Sequence, residues 1–207
     1  MSEGWYDRTL LPHLQDFACG MKPVRCQREK IVPLAHGRVL EVGIGTGLNL
    51  PFYDPSRVGH IVGLDPALQM LRLARKRIAQ SGLDVELIGL SAEHIPHEDD
   101  SFDTVLTTYT LCTIPDPVAA LLEMRRVLAP GGRLLFCEHG RAPDENVRRW
   151  QGRLQPYWQK IAGGCHLDRD VPALLEEAGF RCDNMQTRYL PGPRVLTFNY
   201  WGEAVAR

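Results

Sequence analysis

The sequence predicts an α/β chain: a doubly wound, mostly parallel sheet that ends in an antiparallel C-terminal hairpin. Three observations carry that reading. Short apolar runs alternate with helical patterns between residues 38 and 138, as βαβ units require. Two of those helices open on aspartate followed by proline, Asp65-Pro66 and Asp116-Pro117, a capping side chain with the ring at the first helical position. The last two apolar runs are separated only by Leu190-Pro191-Gly192-Pro193, and so short a turn joins antiparallel strands.

In chain order, Arg38–Val42 is a strand running into a glycine loop, and His60–Asp65 is the second strand. A helix follows to about Gln80 and ends at Gly82; Val85–Ile88 and Phe102–Thr107 are the third and fourth strands. The helix opened by Asp116 runs to Leu128, where Pro130-Gly131-Gly132 stops it. Arg133–Glu138 is apolar enough to be buried on both faces. A short helix over 171–178 precedes the final strands, around 181–189 and 195–204. Right-handed crossovers then give the doubly wound order. Residues 1–32 and 139–168 stand outside this repeat and carry aromatics, Trp5, Tyr6, Phe17, Trp150, Tyr157 and Trp158. With 207 residues, one domain spanning 1–207 is expected.

Composition narrows the partners. Lys and Arg number 24 against 25 Asp and Glu, and a duplex-binding protein would show a basic excess, so no nucleic acid is expected. Six scattered cysteines without a C-x-x-C pair read as reduced thiols in a cytoplasmic setting. No secretory signal and no transmembrane run is visible. Arg72, Arg75, Lys76 and Arg77 form a solvated face, or a patch drawn peripherally to a membrane surface without stable insertion. Nothing in the sequence speaks to oligomeric state.

The loop Glu41-Val42-Gly43-Ile44-Gly45-Thr46-Gly47 places three glycines beyond a strand's C-terminal end, where open α/β sheets bind ligands and a missing Cβ lets backbone approach them. Asp65 ends the neighbouring strand 20 residues after Gly45, at the spacing where an acid meets ribose hydroxyls. A nicotinamide dinucleotide uses the same layout. Glu41 argues against it, because a carboxylate there repels a pyrophosphate and suits a ligand with ammonium and sulfonium charges, S-adenosylmethionine.

These residues, with Ser91–Pro96, Ser101–Val105 and Arg126–Arg133, resemble the class I S-adenosylmethionine-dependent methyltransferases over roughly residues 35–205. The resemblance implies a Rossmann-like, seven-stranded sheet and S-adenosyl-L-methionine as cofactor. It implies that Glu41, Gly43, Gly45, Thr46 and Gly47 surround the methionine moiety, with Thr108 and Tyr109 flanking the methionine and sulfonium. It places Asp65 on the ribose, Pro66 beside the adenine and Ala92 and Glu93 at the adenine edge, with Asn49 and Met70 also cofactor-binding. Residues 1–32 become an N-terminal helical lid, and 139–168 an acceptor-side insertion.

A narrower likeness lies in Asn49–Tyr53, Tyr109–Ile114, Glu138-His139 and Gly163–Leu167. These are similar to the methyltransferase-like group that includes alkyl-thiol methyltransferases, although this sequence lacks the apolar N-terminal anchor of the animal members. The expected acceptor is a small molecule, first a lipophilic thiol, since a thiol ionises near pH 8.5 and needs little help. N-methylation of a phospholipid head group, C-methylation of a quinone-like ring, and a non-catalytic S-adenosylmethionine-binding module stay open beside it. His139, just past the fifth strand, and His166 are the candidate catalytic bases; each also reads as a structural histidine. Tyr6, Cys112, Trp158 and Cys165 are the candidate acceptor-binding residues, with Trp150, Tyr157 and Trp158 on one helical face. Cys165, His166 and Asp168 lack a fourth partner for a metal, so no metal is expected.

Overall fold

A computed structural model of the protein describes residues 5 to 207. Its centre is one sheet of β1 (Gly37–Val42), β2 (Val58–Leu64), β3 (Val85–Ile88), β4 (Phe102–Thr108), β5 (Leu128–His139), β6 (Phe180–Arg181), β7 (Gln186–Tyr189) and β8 (Phe198–Ala206). The order is β3-β2-β1-β4-β5-β8-β6, with β7 also on β8. Strands β1 to β5 run parallel, and β8 lies antiparallel to β5. β6 and β7 pair with different stretches of β8, Val205–Ala206 and Phe198–Trp201. Eight strands therefore fill seven positions, the last of them interrupted over 182–185.

Alternate residues of the central strands serve opposite faces. Leu40, Val62, Val105, Leu134 and Phe136 enter one core, and Val39, Ile61, Leu106, Leu135 and Cys137 the other. Helices cover both. The first core takes α5 (Pro117–Val127) and α7 (Val171–Glu177); the second takes the end of α3 (Lys22–Ile31) and the turn at Val32–Leu34. Two further N-terminal helices, α1 (Trp5–Thr9) and α2 (Leu11–Gly20), precede α3; α4 (Leu68–Ser81), α6 (Glu145–Ile161) and α8 (Arg194–Thr197) complete the chain. No helix among the described residues is long and apolar enough to cross a membrane.

Four local expectations change. Asp65 does not cap a helix at Pro66: α4 starts at Leu68, and Asp65 Oδ1 instead accepts the Ala67 amide at 2.8 Å, closing a turn ahead of it. Asp116 does cap α5, accepting from the Ala119 amide at 3.0 Å, but β5 begins at once at Leu128. Pro130-Gly131-Gly132 is thus an irregularity within β5, whose ladder to β4 breaks after Phe102↔Leu128 and resumes at Thr104↔Arg133. The final hairpin holds the short α8 as well as its Pro-Gly turn. In α6 the inward face is the buried Gln151 and Gln155 with the half-buried Trp158, one residue off the aromatic stripe, leaving Trp150 and Tyr157 exposed. The glutamines outrank the aromatics because they satisfy loop backbone: Gln151 bonds the Ala142 amide and the Gly140 and Leu167 carbonyls, and Gln155 the Leu167 amide and Cys165 carbonyl.

Candidate active site

The C-terminal ends of β1, β2 and β4 lie side by side, with Val42 registered on both Leu64 and Thr107. Their outgoing loops enclose a cavity of about 410 Å³, within the ordinary range for small-molecule sites. The glycine loop forms one wall, held to β2 by the Gly43 and Ile44 amides on the Leu64 carbonyl at 2.7 and 3.2 Å. Gly43 has φ +73°, and a Cβ there would lie 2.1 Å from Thr110 Oγ1. Gly45 has φ +54°, but its nearest Cβ contact would be 3.7 Å away. Gly43 is the most space-limited of the three; at Gly47 a Cβ would lie 2.8 Å from Leu50 Cδ1.

Asp65 is stapled to this loop. Its Oδ2 accepts the Gly45 amide at 3.0 Å and its Oδ1 the Ala67 amide. Burial raises its carboxyl above the usual range, against the pull of both amides. Each oxygen keeps a lone pair for a further donor. Pro66, Met70, Leu90, Ala92 and Ile114 supply an apolar wall. Thr46, Thr108 and Tyr109 also line the cavity.

Arg28 is the residue that sequence reading missed. Only 5% exposed, it reaches the cavity from α3 and donates to Asn49 Oδ1 at 2.7 Å and to Thr108 Oγ1. Its guanidinium stacks 5.2 Å from the centre of the Tyr109 ring, and its Nε is buried without a partner. Nothing in the string Arg25-Cys26-Gln27-Arg28-Glu29-Lys30 singles it out; its one sign is that Arg28 shares a face with the buried Ile31, three residues on.

Behind the glycine loop, Glu41 accepts from Asn49 Nδ2 at 2.9 Å and Tyr53 Oη at 2.7 Å. It is outside the cavity lining. Burial pushes its carboxyl up to about 7, though Tyr53, Asn49 and Arg28 pull it down and Asp65 adds a little repulsion. An acid whose folded value exceeds its unfolded value near 4.5 binds its proton more tightly in the native state. Ionising it costs stability progressively as pH rises from about 4.5 to about 7. Glu41→Gln removes that cost. Urea unfolding of the ligand-free protein should show the variant gaining on wild type between pH 5 and pH 8, by up to roughly 3 kcal/mol for a shift of this size.

α2 covers the opening, contributing Leu11, Gln15, Asp16 and Cys19 to the lining. It is latched by Asp16, which accepts from Thr46 Oγ1 and from Arg77 at 2.9 and 3.1 Å, while Arg77 also donates to the Thr46 carbonyl at 2.7 Å. Arg77 therefore leaves the solvated basic face. Despite the cost of burial, the Arg77 and Thr46 bonds hold the Asp16 carboxyl below its usual range. Gly163 meets this lid closely: at φ +63°, its Cβ would sit 3.0 Å from both Gln15 and Leu11 side chains.

The other sequence candidates fall in three places. Gly47 and Asn49 lie behind the loop wall, Asn49 bridging Glu41, Arg28 and Thr108. Glu93 is outside the lining, its carboxylate taken by Ser91 Oγ and the Asp116 amide. Tyr109 sends its hydroxyl away from the cavity to Asn199 Oδ1 at 2.7 Å. His139, Cys112 and Cys165 converge on one another just outside the cavity wall, with Cys165 Sγ 3.2 Å from His139 Nε2. Burial lowers the tendency of His139 to hold a proton, but Cys165 and Glu138 more than offset it and raise the value. Trp158 reaches the same place, whereas His166 is part-exposed, its amide on the Cys112 carbonyl. Tyr6 Oη donates to the Ile161 carbonyl at 2.8 Å, tying α1 to the end of α6.

The donor set fits a nucleoside carrying an amino acid: an acid with free lone pairs, an apolar wall, a buried cation beside a hydroxyl, and backbone that a Cβ would crowd. Comparison with known proteins agrees. Residues 40–136 match the model of a methyltransferase domain family. The thiol S-methyltransferases TMT1B of Rattus norvegicus and Homo sapiens are each 34% identical to this chain. They match over 75% and 78% of it and 64% and 70% of their own lengths. The chain thus spans somewhat under two thirds of the rat relative. A phosphatidylethanolamine N-methyltransferase of Cereibacter sphaeroides is 39% identical over half of each chain. Among solved structures, an S-adenosylmethionine-dependent methyltransferase of Thermotoga maritima superposes with TM-score 0.66 at 23% identity, covering 98% of both chains. One of Aquifex aeolicus superposes with TM-score 0.63 at 21% identity, covering 95% of this chain and 98% of that one. On its cavity and on these relatives, the chain belongs to the S-adenosylmethionine-dependent methyltransferases.

Proposed function

We infer that this enzyme methylates the sulfur of a small lipophilic thiol. The observation that carries the inference is that the cavity lining, among the described residues, offers no free base. No His or Lys is among its lining residues; Asp16 is paired with Arg77 and Asp65 with two backbone amides. A thiol ionises unaided near pH 8.5, whereas an ammonium must be deprotonated against a higher value. The thiol S-methyltransferase relatives support the same acceptor, and they match over three quarters of the chain against half for the phospholipid enzyme.

S-Adenosylmethionine, when bound, supplies an electrophilic methyl group on a sulfonium. The chain's work is to bind and orient. Asp65 receives the ribose hydroxyls, and Pro66, Met70 and Ala92 pack on the adenine. Arg28 with Thr108 holds the carboxylate of the amino-acid end. Glu41 acts from behind, fixing Asn49 and hence Arg28. Helices α1 to α3 serve as the lid, with the α2 latch excluding water, and the acceptor enters between this lid and residues 139–168. Alignment of donor and acceptor contributes at most roughly 7–11 kcal/mol to the barrier, and an acid–base step is not needed. The expected result with radiolabelled donor is methyl thioether formation from alkyl and aryl thiols. Phosphatidylethanolamine and demethylmenaquinol should stay unlabelled; label confined to either one overturns the assignment.

A further inference from the structure

Three side chains far apart in sequence meet beside the cavity with no part in binding the donor. Cys112 lies in the loop after β4, His139 ends β5, and Cys165 follows α6. Their Sγ and imidazole nitrogen atoms all lie within 4.8 Å of one another. We propose that Cys112, His139 and Cys165 form a binding site for a thiophilic divalent cation, zinc in the first place, with the fourth coordination position left to a non-protein ligand.

The donor atoms are right in kind and spacing. Two sulfurs and an imidazole are the set that tetrahedral zinc prefers over magnesium or calcium. Bonds of ~2.3 Å to sulfur and ~2.0 Å to nitrogen put tetrahedral ligand atoms about 3.5–3.8 Å apart. Closing from the present spacing takes shifts of an ångström or less, and Cys165 Sγ is already 3.2 Å from His139 Nε2. The two cysteines are 3% and 8% exposed, so an ion between them would be held away from bulk water.

The surroundings are also built to hold that geometry. The His166 amide donates to the Cys112 carbonyl at 2.8 Å, joining the two cysteine loops. Gln155 bonds the Cys165 carbonyl at 3.3 Å and the Leu167 amide at 2.7 Å, fixing the second loop on α6. The Trp158 indole N–H is buried without a hydrogen-bond partner, a donor left for a metal-bound thiolate. No fourth His, Cys, Asp or Glu joins the group among the described residues. Three protein ligands with one position open is the arrangement of zinc sites that take a substrate or water.

The place suggests the use. Cys112 sits between Thr110 and Thr113, and Cys165 two residues past Gly163, all three of which line the cavity. Resting on the thiol reading, the open position would take the acceptor's sulfur as thiolate. Ion binding itself is independent of that reading. On binding, the cation forms two metal–sulfur bonds and one metal–nitrogen bond, and two protons leave the cluster for solvent.

The test uses the whole protein, reduced, stripped with chelator and titrated with Co2+. The expected result is one equivalent bound, with thiolate-to-cobalt charge-transfer absorbance and the visible bands of a tetrahedral ion, both displaced by Zn2+. Zinc should also protect Cys112 and Cys165 from alkylation, mapped by mass spectrometry, while Cys19 and Cys182 react as before; this arm needs no variant. Cys112→Ser and Cys165→Ser should each lose most of the charge-transfer intensity while still binding S-adenosylhomocysteine. Absence of cobalt uptake by the reduced wild type overturns the site, as does absorbance unchanged in both variants. So does a Cys112–Cys165 disulfide as the only state that protects the pair. Metal uptake without any thiol methylation would keep the site and reject the acceptor reading.

Discussion

Gly43→Val should reduce donor affinity more than any other single change in the glycine loop. Two independent costs coincide at this position. The backbone sits at φ +73°, a region that a β-branched residue adopts only under strain. The first side-chain atom would also fall 2.1 Å from Thr110 Oγ1 and 2.3 Å from its Cγ2, so the Thr108–Thr110 turn has to move. That turn is not free to do so. The Thr110 amide is held by both Glu138 oxygens, at 3.0 and 2.9 Å, and Tyr109 stands at φ +56° with its amide on the Cys137 carbonyl. Strain of about 1–3 kcal/mol from the backbone alone is roughly a 5- to 150-fold loss, and displacement of the cavity wall adds to it. Gly45→Ala, with ordinary contacts only, should be the milder change in folding stability. Calorimetric titration with S-adenosylhomocysteine and urea unfolding of both variants check the ordering.

Arg28→Met should weaken donor binding and unfold the protein more readily, and the two losses should share one cause. The guanidinium is linked to a buried acid through one amide: Asn49 accepts from Arg28 through its oxygen and donates to Glu41 through its nitrogen. Methionine keeps most of the packing against Tyr109 but leaves Asn49 Oδ1 without its donor and Thr108 Oγ1 with only the one from Asn49. Hydrogen bonds to a charged group are worth about 1.5–3 kcal/mol, so a loss in that range is expected in urea unfolding. Glu41 also loses the positive charge that favours its ionised form. The destabilisation should therefore be larger at pH 8 than at pH 5, and a flat difference across that range would separate Arg28 from Glu41. Donor affinity should fall as well, because the carboxylate end loses its counter-charge, while adenosine, which has no carboxylate, should bind wild type and variant alike.

The parts of the fold legible from sequence are those written in local chemistry. Alternating apolar runs, the Asp116 cap and Gly82 with φ +69° at the end of α4 mark elements by contacts within a few residues. The start of β5 was hidden because Pro130-Gly131-Gly132 is a good helix stop wherever it occurs. Only the pairing of Leu128 with Phe102, fixed by the neighbouring strand, shows that the strand has already begun. The face of α6 was misplaced by one residue because aromatic spacing outweighs glutamines in any apolar pattern. Backbone groups in the loops at 140–142 and 165–167 decide the matter, and they are invisible until folded.

The same divide runs through the site. Glu41, the glycines and Asp65 lie within 25 residues on two adjacent strands, so their spacing carries their meaning. Arg28 looks like any other cation of α3, and what distinguishes it is a partner 80 residues away, Thr108. In sequence Cys112, His139 and Cys165 stand singly, and the only metal-like grouping there is that of the neighbours Cys165, His166 and Asp168. Folding turns His166 part-exposed and brings in Cys112 from 53 residues upstream, a juxtaposition that depends on how β4 and β5 end together.

A crystal structure with S-adenosylhomocysteine tests the central claim most directly. The ribose hydroxyls should lie on Asp65, the carboxylate on Arg28 beside Thr108, and the adenine between Met70 and Ala92, with the sulfur facing the space under α2. Ligand density outside this cavity, or a ribose that leaves Asp65 untouched, would contradict the account.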